Sequence, residues 1–390
     1  MKRLAIFVAA VAGVVGFDAR TRAAGVDELP MEIASYLFDP ALIDAKLPVG
    51  LSAYREWKSQ KALPWTFAFV GSKRFGSWSE AALKKARDEL EPKWANFGLS
   101  RALIAPPAAA NDAQASQQIR ELADKGVDAI LVVCCDSSSG LNDAIKYAHD
   151  KGSLTVPLLG YSTSPYALNV TTNFALEGQE IADQMSDDLH DKGNVLVVGG
   201  FLRNEDSQAL DRGVKVGLTK HPNLRLVGDI AVEGGADAAR AATEAWLKSH
   251  RDPVDAVIVR AGADAEILKA FSAAVRKIPV VMLGDDIASL CDWRHNLDGN
   301  RRAFIGWPPA AETALAWNVA MRTLQGQGPK TQSILAESIT ISSYTVKNQV
   351  PEDCRLDADA WFPVDDEVWT NRHTLDSYFL RPADPTHYKP

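Results

Sequence analysis

Beyond residue 15, this 390-residue chain has no apolar run approaching the ~18 residues that a membrane-spanning helix needs. Nor has it any excess of positive charge. Its 42 Lys and Arg stand against 50 Asp and Glu, a formal net charge of −8. That excludes nucleic acid as a general partner, since phosphate binding needs a basic surface. Cysteine is scarce, with four in all, and none is spaced from another as a metal pair. The seven histidines include no His-Glu-x-x-His sequence. Gly199-Gly200 follows a strand-like run but lacks the spacing of a dinucleotide loop. Gly160-Tyr161-Ser162-Thr163-Ser164 half resembles a nucleophile elbow, but the closing glycine is missing and Pro165 blocks the helix that should follow. These absences leave no catalytic constellation, so an enzyme is not expected.

The N-terminus is informative. Met1-Lys2-Arg3 is a basic start, residues 4–15 are apolar and uncharged, and the chain turns polar at Asp18. This is the pattern of a secretory signal peptide over 1–23, with Thr21 and Ala23 at the small positions and Gly16 as a second cleavage candidate. No cysteine follows the apolar run, which argues against a lipid anchor. The reading is a chain exported to the periplasm and free there. About 365 residues would remain, enough for two domains, and a 46% hydrophobic share supplies two cores. Disulfides are permitted in that compartment, and four cysteines allow three connectivities. Cys134 and Cys135 close a buried strand and read as inert thiols, with a strained vicinal disulfide as the alternative. Cys291, in a polar stretch after a strand, and Cys354, at the start of an unpatterned tail, are expected to pair.

From Trp65 onward, short runs rich in Val, Ile and Leu alternate with runs of helical period. Strands are expected at 66–70, 129–133 and 156–159, with helices at 78–91, 113–125 and 140–150. A second series places helices at 175–191, 207–220, 237–249 and 264–275, and strands at 194–198, 224–232, 256–259 and 280–283. Continuous apolar strands between helices are the mark of parallel sheets covered on both faces. The fold class is α/β, with two similar lobes. An N-terminal extension (24–63) and a C-terminal one (350–390) fit neither series and read as packed additions.

In an open α/β sheet the ligand sits beyond the carboxyl ends of the strands. The side chains just past those ends are the site candidates. They are Lys73, Arg74, Phe75 and Trp78 after the first strand, residues 134–139 after the strand at 129–133, Tyr161, Ser162 and Ser164 after the strand at 156–159, and Phe201, Arg203 and Asn204 after 194–198. Arg260 and Asp264 follow 256–259, Asp286 follows 280–283, and Trp307 follows the short run at 303–306.

The order of several stretches resembles a known family. Residues 118–133, from Gln118 to Val133, resemble the run into that family's third strand. Residues 173–182, from Asn173 to Ala182, resemble its first inter-lobe crossing and the next helix. Asp211-Arg212-Gly213 resembles the opening of a C-lobe helix, and 255–259 and 280–286 resemble later strands. Residues 66–345 are thus similar to the sugar-type periplasmic binding proteins of the ribose-binding class. That resemblance implies the type I periplasmic binding protein fold, two Rossmann-like lobes joined by a three-crossing hinge and closing on one ligand. It places crossings near Asn173, near Trp307 and between Ser338 and Thr345. It divides the chain into an N-lobe (64–172 plus 308–337) and a C-lobe (173–307 plus 338–349 and the tail).

The resemblance also implies roles. Trp78 matches the aromatic ring that stacks on the ligand, Arg212 the arginine that donates to it, Asp286 an acidic ligand position and Trp307 the second hinge. Two acidic positions are missing: Gly160-Tyr161 and Ala261-Gly262 replace an Asp-Arg and an Asn-Asp pair. With Arg203, Arg212, Arg260, Lys73 and Arg74 near the cleft, the expected ligand is planar and anionic. It is an aromatic acid or a quinone cofactor such as pyrroloquinoline quinone, gripped by guanidinium forks and aromatic faces. A sugar is the alternative. The implied partner is an inner-membrane ABC permease, or else a membrane receptor if the chain is a ligand sensor. The binder is expected to work as a monomer, with no catalytic cofactor.

Overall fold

The computed structural model describes residues 43–44, 46–199, 205–232, 236–260, 263–276, 280–283, 287–295, 301–305, 308–336, 338–342, 344–355, 361–362, 364 and 372–381. The expected signal peptide lies outside them.

The first series runs β1 (Trp65–Val70), α1 (Gly76–Lys85), α2 (Glu91–Asn96), β2 (Ser100–Ile104), α3 (Asp112–Asp124), β3 (Ala129–Val133), α4 (Asn142–Asp150), β4 (Leu154–Leu158) and β5 (Asn169–Thr172). A π-helical turn, Ala86–Leu90, joins α1 to α2. β1 to β4 form one parallel sheet in the order β2-β1-β3-β4. All residues of β3 and β4 are buried, as strands covered on both faces must be. β2 was not expected. It is the edge strand, and its polar Ser100 and exposed Arg101 break the apolar run that marks its neighbours.

The second series is α5 (Phe174–Asp188), β6 (Gly193–Gly199), α6 (Glu205–Lys220), β7 (Leu224–Ile230), α7 (Ala236–Ser249), β8 (Ala256–Arg260), α8 (Asp264–Ala273), β9 (Val280–Leu283), α9 (Ile287–His295) and β10 (Arg301–Ile305). The chain then returns through α10 (Pro309–Leu324), β11 (Ser333–Ala336), β12 (Ile339–Ile341), α11 (Val346–Gln349) and α12 (Arg372–Ser377). The second sheet is ordered β12-β10-β9-β8-β6-β7, parallel except for the antiparallel edge strand β12. β11 pairs with β5 on the first lobe. β11 ends at Ala336 in the first lobe and β12 begins at Ile339 in the second, so the chain changes lobes between them, at the start of the expected 338–345 stretch.

α10 shows why a buried helix can escape a periodicity search. Nearly all of it is buried, so it has no polar face to set a period. Its Trp317 stacks on Phe67 of β1 with ring centroids 4.2 Å apart.

The two lobes repeat one device. Val127-Asp128-Ala129 and Val254-Asp255-Ala256 each lead into a central strand. Asp128 accepts a hydrogen bond from the Thr66 backbone N–H at 2.7 Å, and Asp255 accepts one from Asn194 at 2.8 Å. Each carboxylate thus fixes the start of the neighbouring strand and the register of its sheet.

In the second lobe, α5 and α6 cross at backbone distance. A Cβ on Gly178 would collide with the Leu210 carbonyl oxygen, and one on Gly213 with the carbonyl of Ala175. Asn173 starts α5 by accepting from the Leu176 N–H at 3.3 Å. The Arg212-Gly213 pair thus has a packing reason for its glycine. Replacing Gly213 with Val should lower stability by about 3 kcal/mol, because backbone rather than a side chain must move. A urea midpoint equal to wild type would refute the close crossing.

The cysteines bring one correction and one close approach. Cys134 and Cys135 directly follow β3, with Cys134 fully buried. Cys291 does not sit in a polar loop; it is fully buried on α9. Its Cα lies 5.7 Å from that of Cys354, with the sulfurs bonded. The tail was expected to belong to the C-lobe. It belongs to both: Val350 and Phe362 join the second lobe's core, whereas Leu375, Tyr378 and Phe379 join the first. Arg322 of α10 pairs with Asp376 at 2.8 Å and lies 4.0 Å from the Phe379 ring centroid. In exported protein the Cys291–Cys354 bond closes a loop of 63 residues. Chain entropy then assigns it roughly 4 kcal/mol of stability. Non-reducing peptide mapping should recover the two peptides linked; labelling of both as free thiols would refute the pairing.

Candidate functional site

The carboxyl ends of β1, β3 and β4 meet on one edge of the first lobe. The turn after β4 is unusual. Leu159 has φ of 64°, a left-handed conformation that costs a branched side chain energy. It is held there by Glu312, buried in the first turn of α10, which accepts the Leu159 N–H at 2.5 Å. This turn delivers Tyr161, whose hydroxyl donates to Asp44 at 2.6 Å. Asp44 belongs to the N-terminal extension. Its other oxygen accepts from Arg212 of α6 at 2.9 Å, so one carboxylate touches both lobes.

A second acidic group sits past β1 and β3. Asp112, the first residue of α3, accepts the backbone N–H groups of Asp136 at 2.7 Å and Ser137 at 3.0 Å. Asp136 in turn accepts the Asp112 N–H at 3.1 Å and pairs with Arg74 at 3.2 Å. Burial first, then the adjacent Asp136 charge, pushes the Asp112 carboxyl above its ordinary range. The Arg74 guanidinium also lies 5.6 Å from the centroid of the Phe75 ring.

Against this geometry the sequence candidates divide. Arg74 and Phe75 follow β1, where Arg74 pairs with Asp136, and Tyr161 follows β4 and meets Arg212 of α6 through Asp44. Lys73 follows β1 too, but is exposed; one turn cannot aim two adjacent cations inward. Trp78 is a correction. It is 2% exposed within the first lobe's core and presents no open face for stacking. Tyr161 is likewise buried, and its polar tip is committed to Asp44. Arg260 ends β8 and Asp264 opens α8, both at the carboxyl edge of the second sheet. Phe201, Arg203, Asn204, Asp286 and Trp307 lie outside the described residues.

Sequence reasoning missed Asp44, Asp112 and Glu312, whereas Asp136 falls in the stretch 134–139 expected at the site after β3. Asp44 was out of reach, because nothing in the extension's pattern says where it docks. As for metals, the donor atoms of Cys291, His295 and Cys354 lie within 4.8 Å of one another. The two sulfurs are bonded to each other, however, which removes the thiolates a metal would need. Among the described residues no helix is long and apolar enough to cross a membrane.

Several solved structures share this architecture. An ABC transporter solute-binding protein from Thermobispora bispora superposes with a TM-score of 0.65 at 22% identity, over 79% of this chain and 94% of that one. One from Burkholderia graminis, in complex with D-arabinose, gives 0.63 at 16%, over 75% and 100%. One from Mycobacterium smegmatis with bound glycerol gives 0.61 at 15%, over 78% and 100%. Such identities establish the fold. A xylitol-binding protein of Mycolicibacterium smegmatis is 27% identical over 149 residues, 37% of this chain. That match spans 42% of the relative's length. Residues 67–328 match the periplasmic binding protein domain, about two thirds of the sequence. The chain therefore belongs to the periplasmic binding protein family, whose members hold and release solutes without catalysis and without a catalytic cofactor.

Proposed function

We propose that this chain is the periplasmic solute-binding component of an ABC importer and that its solute is a polyol or sugar. One observation carries the choice of ligand. Two of the arginines expected to grip carboxylates are already matched by the chain's own carboxylates, Arg74 by Asp136 and Arg212 by Asp44. A cleft whose cations are neutralised gains little from a polyanion. Carboxylates at strand ends are instead strong acceptors for hydroxyl groups. The aromatic half of the planar-acid reading weakens as well, because Trp78 and Tyr161 are buried in the core. Pyrroloquinoline quinone therefore gives way to the alternative, a hydroxylated solute. The xylitol-binding relative and the fold neighbours holding D-arabinose and glycerol agree with that direction. The permease is the partner such a role requires.

The test is titration calorimetry on protein stripped of bound solute by unfolding and refolding. The panel is xylitol, D-arabinose, D-allose, myo-inositol, glycerol, benzoate and pyrroloquinoline quinone. One member of the hydroxylated set should bind with a stoichiometry of one. Asp136→Asn should weaken it roughly tenfold, as expected for a lost charged hydrogen bond. Saturable binding of the quinone or of benzoate, with all five hydroxylated compounds silent, would overturn the proposal and restore the planar acid.

A further inference from the structure

The N-terminal extension reaches a place that the two lobes alone do not fill. Its first described residues sit on the first lobe. Ile43 and Leu47 are buried in that lobe's core on either side of Asp44. The extension is then stitched to the strand that closes the lobe. Ser333 donates to the Pro48 carbonyl at 2.6 Å, Gln332 N–H to Gly50 at 2.9 Å, and Ser52 N–H to Lys330 at 3.2 Å. Tyr54, fully buried, donates to the Tyr166 carbonyl at 2.8 Å. Asp44 is therefore a rigid part of the first lobe. Its side chain is only 6% exposed, and its oxygens take the Lys46 N–H at 3.2 Å, the Tyr161 hydroxyl and the Arg212 guanidinium.

Arg212 stands on α6, which packs on α5 in the second lobe. The Asp44–Arg212 pair consequently joins the lobes beside the first crossing, where Gly213 packs on Ala175. A rotation of one lobe on the other changes the distance between its partners. Asp44 also lies outside residues 67–328, the part matched by the family domain, so this contact comes from an addition to that domain.

We infer that Asp44 is an interlobe latch: it joins Tyr161 of one lobe to Arg212 of the other and thereby sets how readily the protein closes on its solute. The inference rests on the solute-binding role proposed above. A contact made only when the lobes are together shifts the open–closed equilibrium toward closure, and raises apparent affinity by the same factor. Because Arg212 is half exposed, the pair is also open to screening by salt.

The experiment uses the mature chain and the variants Asp44→Ala, Asp44→Asn, Arg212→Ala and Asp44→Ala with Arg212→Ala. X-ray scattering of solute-free protein reads lobe separation. Calorimetry reads affinity for whichever of xylitol, D-arabinose, D-allose, myo-inositol or glycerol binds wild type most tightly. Each single variant should enlarge the solute-free radius of gyration and weaken binding by about five- to tenfold. Asp44→Asn should behave like Asp44→Ala, because it still accepts from Tyr161 but lacks the charge that Arg212 needs. The double variant should be no worse than either single one. About 1 M NaCl should expand wild type and leave Asp44→Ala unmoved. Arg212→Ala truncates a half-exposed side chain and so stays folded should Asp44→Ala fail to fold. Unchanged scattering in the folded single variants, additive losses in the double variant, or wild-type behaviour of Asp44→Asn would each overturn the latch. The scattering comparison needs no solute, so it decides the matter even if no compound in the panel binds.

Discussion

An aspartate ahead of a central strand, holding the backbone N–H of the second residue of the strand beside it, sets the geometry of each lobe. Asp128 does this for β1 and Asp255 for β6. A parallel strand buried on both faces has few polar side chains to fix its register, so a single charged hydrogen bond at its start has disproportionate effect. Once the starts are fixed, strands of similar length end at one level. The carboxyl edge then becomes a place where loops from several strands must converge. Arg74, Asp136 and Tyr161 hang from that edge.

Electrostatics at the edge follow from compensation. The sequence offers several cations near the strand ends of a chain that is acidic overall. Read singly, they favour an anionic ligand. In three dimensions Arg74 faces Asp136, and Arg212 faces Asp44. Two of the cations that the sequence places near the strand ends are thus matched by the chain's own carboxylates.

The additions at both termini do more than cover surface. The N-terminal one is woven into the first lobe beside β11 and contacts the second through Asp44. The C-terminal one is bonded to α9 through Cys354 and then returns to the first lobe, where Tyr378 donates its hydroxyl toward the Leu335 carbonyl and Asp376 meets Arg322. The lobes are thus linked by the hinge strands and by both extensions, so that their relative motion is constrained by parts of the chain outside the family domain.

The sequence alone determined the α/β class, the two lobes and most helices and strands, because apolar periodicity is local and survives without knowledge of partners. It also singled out Cys291 and Cys354, since few cysteines leave few pairings. It did not show β2, whose edge position tolerates Ser100 and Arg101, or α10, whose burial on all sides erases its period. The tertiary structure alone decided which strand-end side chains are available. Trp78 has the same sequence setting whether it faces a cleft or a core, and only packing against α10 and the first sheet made it core. Asp44 lies 117 residues from Tyr161 and 168 from Arg212. No local pattern encodes a meeting across such distances; it arises only when the extension, one lobe and the other are folded together.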